Sequence, residues 1–304
     1  MVSAPNLSPQ RSPLRTGLVV NADPEVAALL KSVLPATEWS IQNAANNVAV
    51  LKLVETRPFD LIITSEDTSG KEDLELLRKI RKIRPHVRLI ILTNEGTPAD
   101  VIASMREHAF SYFSKPFSLD SLAEIVRLAA EAPCWDDGIE VISATPSWIR
   151  LAVRCARTTA DRLTQFLHEI ADLPEPENSN VAMAFREILL NAFEHGCHFE
   201  AKHYVEISYV RTSRMVGCRV RDPGEGFSLD EIRHAAIANP PEDPLRHEVH
   251  RSKFGLRPGG LGVLLAKNLV DDLIYSEDGN DVLLIKYLDP QQDNQRALAS
   301  FSQQ

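Results

Sequence analysis

The sequence predicts two domains of different class, an α/β domain followed by an α+β domain. Its length of 304 residues exceeds one domain of ordinary size. Short apolar strands alternate with helical patterns as far as about residue 130, which favours a parallel sheet covered on both faces. Beyond that point helices and antiparallel hairpins come in separate blocks, which is typical of helices packed on one face of a sheet.

Composition and charge narrow the functional classes. Apolar residues make up 44% of the chain and charged residues 25%, as in soluble globular proteins. Residues 1–133 hold 15 basic and 16 acidic residues, whereas the rest holds 18 and 26. The acidic second half argues against direct nucleic-acid binding. Without a membrane-length apolar run, a secretory signal or a CxxC pair, we expect a cytoplasmic protein with four reduced thiols.

The first domain is expected to span 16–130, after a disordered Pro- and Ser-rich tail over 1–15. Its strands are short and apolar, and turn-forming residues separate them from the helical patterns. The predicted elements are strands at Gly17–Val20, Phe59–Thr64 and Arg88–Thr93, with helices at Asp73–Arg84 and Pro98–His108 among those between them. This alternation predicts a doubly wound parallel sheet.

The second domain is expected to span 139–288, after a linker at 131–138 and before a flexible tail at 289–304. Proline pairs and Asp-Gly-Asn turns separate its elements. The predicted order is a strand at Glu140–Ser143, helices over about 147–171 and 179–195, a hairpin of Tyr204–Val210 and Met215–Val220, a helix over about Gly262–Val270, and a closing hairpin of Leu273–Ser276 and Val282–Tyr287.

The first domain resembles the receiver domain of bacterial response regulators, a flavodoxin-like fold. The matching segments are Leu18-Val19-Val20, Asp60-Leu61-Ile62-Ile63, Leu92-Thr93 and Lys115-Pro116. The resemblance implies an acidic pair that binds Mg²⁺, an Asp that accepts a phosphoryl group, and a Thr or Ser and a Lys that contact the phosphate. These positions fall on Asn21, Ala22, Ser65, Thr93 and Lys115.

Three of those five positions lack the carboxylate that the chemistry needs. Mg²⁺ prefers anionic oxygen ligands, and an acyl phosphate requires a carboxyl acceptor. Asn21, Ala22 and Ser65 supply neither, although Asp23 and Glu66 lie one residue further along. We therefore expect a degenerate receiver that works through partner contact or dimerisation. An orthodox phosphorylated response regulator is the alternative.

Three separated motifs in the second domain share the chemistry of nucleotide binding. Glu187 and Asn191 are four residues apart, so they lie on one helical face. An Asn oxygen can complete a Mg²⁺ shell, and a Glu can act as general base toward a hydroxyl. Asp222, Gly224 and Gly226 end a strand, where the Asp can accept from an amine and the glycines leave room for a base. Gly260 and Gly262 open a helix whose N–H groups favour phosphate.

In this order, the motifs resemble the Bergerat-type ATP-binding domain of the GHKL superfamily over about 139–288. Each motif alone is weak, and a solvated helix face or a tight turn would explain it. The resemblance assigns Glu187 and Asn191 to the N box, Asp222, Gly224 and Gly226 to the first glycine box, and Gly260 and Gly262 to the second. It places the mobile ATP lid in Ser228–Leu256.

The sequence Asn-Ala-Phe-Glu-His-Gly at 191–196 is similar to the corresponding segment of the anti-sigma-factor serine/threonine kinases. This resemblance implies ATP and Mg²⁺ as cofactors, Glu187 as the catalytic base, Asn191 as the Mg²⁺ ligand, and a sigma factor or an anti-sigma-factor antagonist as partner. From the charge and the lack of a membrane-length apolar run we expect neither direct nucleic-acid binding nor a membrane ligand, and a homodimer stays possible. The alternative is a partner-binding module that responds to nucleotide without phosphoryl transfer.

Overall fold

A computed structural model describes residues 14–21, 23–64, 67–131, 138–226, 249 and 261–289. Most of both tails, of the linker and of the segment 228–256 lies outside these ranges, as do Ala22, Ser65 and Gly260. Among the helices within them, none combines the length and the apolar character needed to cross a lipid bilayer.

The first domain is a five-stranded parallel sheet with helices on both faces, as the sequence predicts. The strand order is β2-β1-β3-β4-β5. Its elements are β1 (Arg15–Val20), α1 (Pro24–Val33), β2 (Trp39–Ala44), α2 (Asn47–Thr56), β3 (Leu61–Ile63), α3 (Gly70–Ile83), β4 (Arg88–Thr93), α4 (Pro98–Arg106), β5 (Ser111–Ser114) and α5 (Leu119–Glu131). Because both faces are covered, the strands are continuously apolar, and Leu89, Ile90 and Ile91 are fully buried.

The second domain is a six-stranded antiparallel sheet in the order β10-β11-β9-β8-β7-β6, with helices that contribute to the core. Its elements are β6 (Ile139–Thr145), β7 (Trp148–Arg154), α6 (Arg157–Ala171), α7 (Glu177–Asn191), β8 (Tyr204–Arg211), β9 (Met215–Arg221), α8 (Gly262–Leu269), β10 (Asp272–Tyr275) and β11 (Asp281–Tyr287). A π-helical turn at Ala192–Gly196 continues α7. Helix α7 packs against α6, α8, β9 and β11, so it lies at the centre of the domain.

The predicted helix over about 147–171 is wrong for its first ten residues. Residues 148–154 form β7, which pairs with β6 on one side and β8 on the other. Ile149, Leu151 and Val153 are buried and their neighbours are more exposed. This period of two is the pattern of a strand, and the helix begins only at Arg157.

The expectation of four reduced thiols is wrong for two of them. Cys155 follows β7 and Cys197 follows the π-helical turn, and the two form a disulfide with Cα atoms 6.3 Å apart. Forty-two positions separate them in the chain, so no local spacing motif announces the pair. Cys218 on β9 is free and buried, and burial raises the pKa of its thiol to about 12.

Helix α6 of the second domain packs directly on the edge strand β5 of the first. Arg162 is buried, and its Nε donates to the Phe110 carbonyl at 2.7 Å while the guanidinium lies over the Phe110 ring. Glu169 accepts from the backbone N–H of Ser114 at 3.2 Å and from the Ser114 hydroxyl. Because α6 also joins the same buried apolar cluster as β5, the two domains share a core.

Candidate functional site

Helix α7 presents Glu187 and Asn191 on its partly exposed side. Phe185, Ile188 and Leu189 are buried and hold the opposite face against the rest of the domain. The spacing of four residues places both functional side chains one turn apart, as the sequence predicts. The helix therefore carries a carboxylate and a carboxamide toward one region of the surface.

Asp222 lies directly after β9 and is half-buried. The Gly224 N–H donates to its Oδ1 at 2.9 Å. Burial raises the pKa of the Asp222 carboxyl, and the hydrogen bond from Gly224 opposes this effect. An ionised carboxylate can accept about four hydrogen bonds, so Asp222 has capacity for an amine donor from a ligand.

Two glycines let the Asp222 carboxylate approach the end of the N box. A methyl group on Gly196 would overlap Oδ1 of Asp222. A methyl group on Gly224 would lie 2.8 Å from the Gly196 Cα and 2.9 Å from that Oδ1. Both distances are too short for real contacts, so only glycine allows the first glycine box to close against the π-helical turn.

The second glycine box meets Glu187. Gly262 begins α8, and a methyl group at this position would come within 2.6 Å of Glu187 Oε2. Gly226 has a φ of 75°, and a methyl group there would overlap the Asp278 carbonyl of the closing hairpin. Gly260, the other predicted member of the second box, lies outside the described residues.

Residues far apart in the sequence therefore line one region of the second domain. Glu187 and Asn191 come from α7, Asp222 from the end of β9, and Gly262 from the start of α8. This set offers an acceptor for an amine, an oxygen ligand for a hard cation, free N–H groups of a helix start and a carboxylate base. Gly196, Gly224 and Gly262, which we call the glycine cradles, have no side chains that would occupy the space beside these groups. The donor set and the cradles both fit ATP.

Sequence reasoning missed two residues that shape this region. Gly196 belongs to the Asn-Ala-Phe-Glu-His-Gly segment, and a glycine that ends a helix there was the signal for it. Asn280 lies in the closing hairpin turn, where its Nδ2 donates to the Gly224 carbonyl at 2.9 Å and its own carbonyl accepts from the Asp222 N–H at 3.0 Å. No local pattern links residue 280 to residue 222, because β9 and β11 pair only in the fold.

The described receiver positions contact other parts of the first domain. Asn21 Nδ2 donates to Asp67 Oδ2 at 3.2 Å, and the Thr93 hydroxyl lies 2.6 Å from the Thr68 carbonyl. The Lys115 N–H donates to the Thr93 carbonyl. Asp23, the acid next to the expected pair, caps α1 by accepting from the Glu25 N–H at 2.8 Å. Ala22 and Ser65 lie outside the described residues.

The described part of the chain contains no cluster of three or more His, Cys, Asp or Glu side chains arranged to hold a metal. A groove of about 400 Å³ lies elsewhere, between α5 of the first domain and α6 and α7 of the second. Phe117 and Ser121 form part of one wall, and Asp161, His168 and Arg186 form part of the other. The groove does not include Asn191 or Asp222.

Each half of the chain matches a model of a known protein family. Residues 149–286 match the histidine kinase-like ATPase domain, and residues 18–127 match the response regulator receiver domain. The chain joins a receiver domain to a histidine-kinase-like ATPase domain.

Relatives among characterised proteins match the receiver half. The transcriptional regulatory protein GlrR of Escherichia coli is 28% identical over 138 residues, which are 44% of this chain and 31% of that protein. Sporulation initiation phosphotransferase F of Bacillus subtilis is 28% identical over 111 residues, 36% of this chain and 89% of that protein. The chain spans about a third of the length of the first of these relatives.

Solved receiver domains are similar to the same half. A receiver domain protein from Methanospirillum hungatei is 25% identical, with a TM-score of 0.32, and the match covers 38% of this chain and 92% of that one. A response regulator from Thermotoga maritima is 24% identical with a TM-score of 0.33, and the match covers 39% of this chain and 99% of that one.

Proposed function

We propose that the chain is an ATP-dependent regulatory protein kinase of the anti-sigma-factor type, which phosphorylates a Ser or Thr of an antagonist protein and is gated by a degenerate receiver. One observation carries the proposal. Gly262 lies against the Glu187 carboxylate, and Gly196 and Gly224 lie against the Asp222 carboxylate, and this contact of each glycine box with the N-box segment supports a shared nucleotide site.

Each residue has a role that follows from its chemistry. Asp222 accepts a hydrogen bond from the adenine amine, and Gly224 and Gly226 leave room for the base. The start of α8 at Gly262 presents backbone N–H groups to the phosphates. Asn191 supplies an oxygen ligand to Mg²⁺. Bound with Mg²⁺, ATP supplies the phosphoryl group.

Glu187 is the catalytic base in this proposal. Its side chain is partly exposed, so a protein hydroxyl can reach it. With ATP bound, Glu187 would accept the hydroxyl proton while the hydroxyl oxygen bonds to the γ-phosphorus, and the bond to the bridging oxygen would break to release ADP. Glu187 lies one helical turn from Asn191 and against the start of α8. The base, the cation ligand and the phosphate-binding backbone are therefore on adjacent surfaces.

The receiver domain acts without accepting a phosphoryl group. Asn21 is an amide where a cation-binding acid is expected, and Asp23 is engaged in capping α1. The Thr93 hydroxyl faces backbone carbonyls. The receiver domain then influences the kinase through the core that the two domains share and through the contacts of α6. The partner is a sigma factor or an anti-sigma-factor antagonist domain, and no contact with nucleic acid or membrane is needed.

The test uses the full chain with MgATP and a panel of purified anti-sigma-factor antagonist domains. We expect phosphoserine or phosphothreonine on one of them by mass spectrometry, and micromolar-range ATP binding by calorimetry. Glu187→Gln should lower the transfer rate by about 100-fold or more and change the ATP Kd by less than about threefold. The matched control is Glu206→Gln, an exposed acid on the outer side of β8.

The outcomes separate the alternatives. Binding of ATP without transfer to any partner, but with ATP-dependent partner binding, would favour the non-catalytic binding module. Wild-type transfer by Glu187→Gln would remove Glu187 as the base. Absence of ATP binding would overturn the pocket itself.

A second candidate is an orthodox response regulator, which the receiver-half relatives favour because their names identify regulators of that class. It predicts an acid-labile phosphate within residues 16–130 after incubation with acetyl phosphate. The degenerate receiver predicts no such label. Intact-mass measurement before and after acetyl phosphate treatment distinguishes the two.

A further inference from the structure

The carboxylate of Glu187 has two oxygens that face different neighbours. Oε2 faces Gly262 at the start of α8. Oε1 faces the adjacent side chain of Arg186, whose Nη1 lies 3.7 Å away. At this distance the contact is an ion pair without a hydrogen bond, and the attraction between the two charges favours the orientation in which Oε1 faces Arg186.

Arg186 is itself held from α6. Its Nε and Nη2 lie 2.9 and 2.8 Å from Asp161 Oδ1. Asp161 is only 15% exposed, whereas Arg186 is 37% exposed, so the pair is partly shielded from solvent. Charge-assisted contacts of this geometry are stronger than a fully exposed pair. The position of the Arg186 guanidinium therefore depends on where α6 places Asp161.

Arg162, which follows Asp161 on α6, forms hydrogen bonds to the receiver domain. Arg162 is almost fully buried, and it donates to the Phe110 and Ala109 carbonyls at the start of β5. Further along α6, Gln165 Nε2 donates to the Tyr112 carbonyl at 3.0 Å. Consecutive side chains of one helix thus contact the receiver strand and the neighbour of the proposed base.

We propose that Arg186 is a positioning residue for Glu187, and that Asp161 and Arg162 on α6 tie its placement to β5 of the receiver domain. The inference rests on the proposed function, because it assigns Glu187 as the base. It adds a route by which the receiver domain acts on the kinase: a shift of β5 moves α6, and α6 moves Asp161, Arg186 and Oε1 of Glu187 together.

The groove between the domains supports this route. Asp161 and Arg186 lie on one of its walls, and Phe117 and Ser121 of the receiver domain lie on the other. The ion pair therefore lies on the face of the ATPase domain that borders the receiver domain. A change at that boundary reaches the pair without crossing the apolar core of the second domain.

The experiment measures kcat and KM for ATP, by ADP release and by transfer to an antagonist domain, in full-length Arg186→Gln, Arg186→Lys, Asp161→Asn and the Asp161→Asn/Arg186→Gln double variant. We expect kcat to fall about 10-fold or more in Arg186→Gln, with KM and ATP Kd changed less than twofold. Arg186→Lys should recover part of the loss. Asp161→Asn should lower kcat in the wild-type background and not in Arg186→Gln.

Arg150→Gln is the matched control, since Arg150 pairs with Glu206 on the exposed side of the sheet, with nitrogen and oxygen 3.8 Å apart. Wild-type kcat in Arg186→Gln, or additive losses in the double variant, would overturn the inference while leaving Glu187 as the base. An equal loss in Arg150→Gln would also overturn it.

A spectroscopic readout separates this inference from the proposed function. The side-chain carboxyl ¹³C resonance of Glu187, assigned with Glu187→Gln, should move in Arg186→Gln and in Asp161→Asn and stay in Arg150→Gln. If the wild-type chain transfers no phosphate, the proposed function fails, and this resonance still decides the inference. An unmoved resonance in Arg186→Gln overturns it.

Discussion

The receiver site and the three-motif site of the second domain differ in what their polar side chains face. In the receiver domain, the Thr93 hydroxyl lies 2.6 Å from the Thr68 carbonyl and 3.0 Å from the Glu95 carbonyl. In the ATPase domain, the half-buried Asp222 carboxylate receives a short N–H contact from Gly224 and keeps acceptor capacity. The Thr93 hydroxyl thus lies within hydrogen-bond distance of two backbone carbonyls, whereas the Asp222 carboxylate keeps capacity to accept a further hydrogen bond from a ligand.

The glycines of the two domains show the same contrast. In the receiver domain, methyl groups on Gly70 and Gly96 would lie 2.7 and 2.5 Å from the Tyr112 hydroxyl oxygen, so these glycines make room for a buried side chain of the protein. Burial raises the pKa of the Tyr112 phenol. In the ATPase domain, Gly196, Gly224 and Gly262 let the carboxylates of Asp222 and Glu187 lie directly against the backbone. The first set makes room for a buried phenol, and the second makes room for two carboxylates of the proposed site.

The largest expected effect separates the two sites by ligand affinity. Asp222→Asn replaces the proposed acceptor for the adenine amine with a group that also donates, and it should raise the ATP Kd by about 100-fold. Asp271→Asn, an exposed acid paired with Lys286, should leave the Kd unchanged. Calorimetry on both full-length variants measures this. A Kd within threefold of wild type in Asp222→Asn would show that the carboxylate serves the fold and not a nucleotide.

The next effect concerns the glycine cradle. Gly224→Ala forces a methyl group to 2.8 Å from the Gly196 Cα, so we expect about 1–3 kcal/mol of lost stability and about 10-fold weaker ATP binding. Gly17→Ala on β1 is the control, since its nearest contact would be an ordinary 3.7 Å. Urea unfolding and calorimetry report the two quantities. Equal effects at both glycines would contradict the contrast drawn between the domains.

Much of the fold could be predicted because local patterns of apolar residues and residue spacing indicate its helices and strands. The continuous apolar runs of β1 and β4 indicate a covered parallel sheet, and the spacing of Glu187 and Asn191 indicates one helix face. The strand at 148–154 was missed because its period-two pattern runs into α6 after two residues, Cys155 and Ala156. A continuous helix was the simpler interpretation of a long apolar stretch.

The contacts between distant residues could not be predicted in this way. Arg162 and Glu169 have the composition of a helix surface, and they are buried only because α6 docks on β5. The Cys155–Cys197 disulfide and the role of Asn280 depend on elements that meet through sheet pairing. Such pairs carry no sequence signal, since nothing in either segment alone specifies the other.

A smaller effect is expected on the pH dependence of folding stability, which tests the contact between the two domains at Glu169. Burial raises the pKa of Glu169 to about 7, against the hydrogen bonds from Ser114 and Gln165. The unfolded chain therefore loses this proton at lower pH than the folded chain, and the stability falls as pH rises from about 4.5 to about 7. Glu169→Gln stays neutral, so it should be more stable than wild type above pH 7, by on the order of 1 kcal/mol, and similar below pH 4.5.

Asp73 lies in the receiver domain, and burial raises its pKa to about 7 as well, so it contributes in the same direction over the same window. It is present in both wild type and Glu169→Gln, and the difference between them isolates Glu169. Urea unfolding at pH values from 4.5 to 8 measures that difference. A constant difference across this range would mean that Glu169 does not titrate at the domain boundary.

The smallest expected effect lies at the receiver site itself. Thr93→Val keeps the shape of the side chain and removes a hydroxyl that faces backbone carbonyls, so it should cost about 1 kcal/mol of stability. ATP affinity and turnover should stay within twofold of wild type, because the hydroxyl does not lie in the pocket. Calorimetry and ADP release on the full chain check both values. A change of more than threefold in either would mean that Thr93 still communicates with the nucleotide pocket, and the receiver site would then have kept a signalling role that its bonding to its own backbone does not reveal.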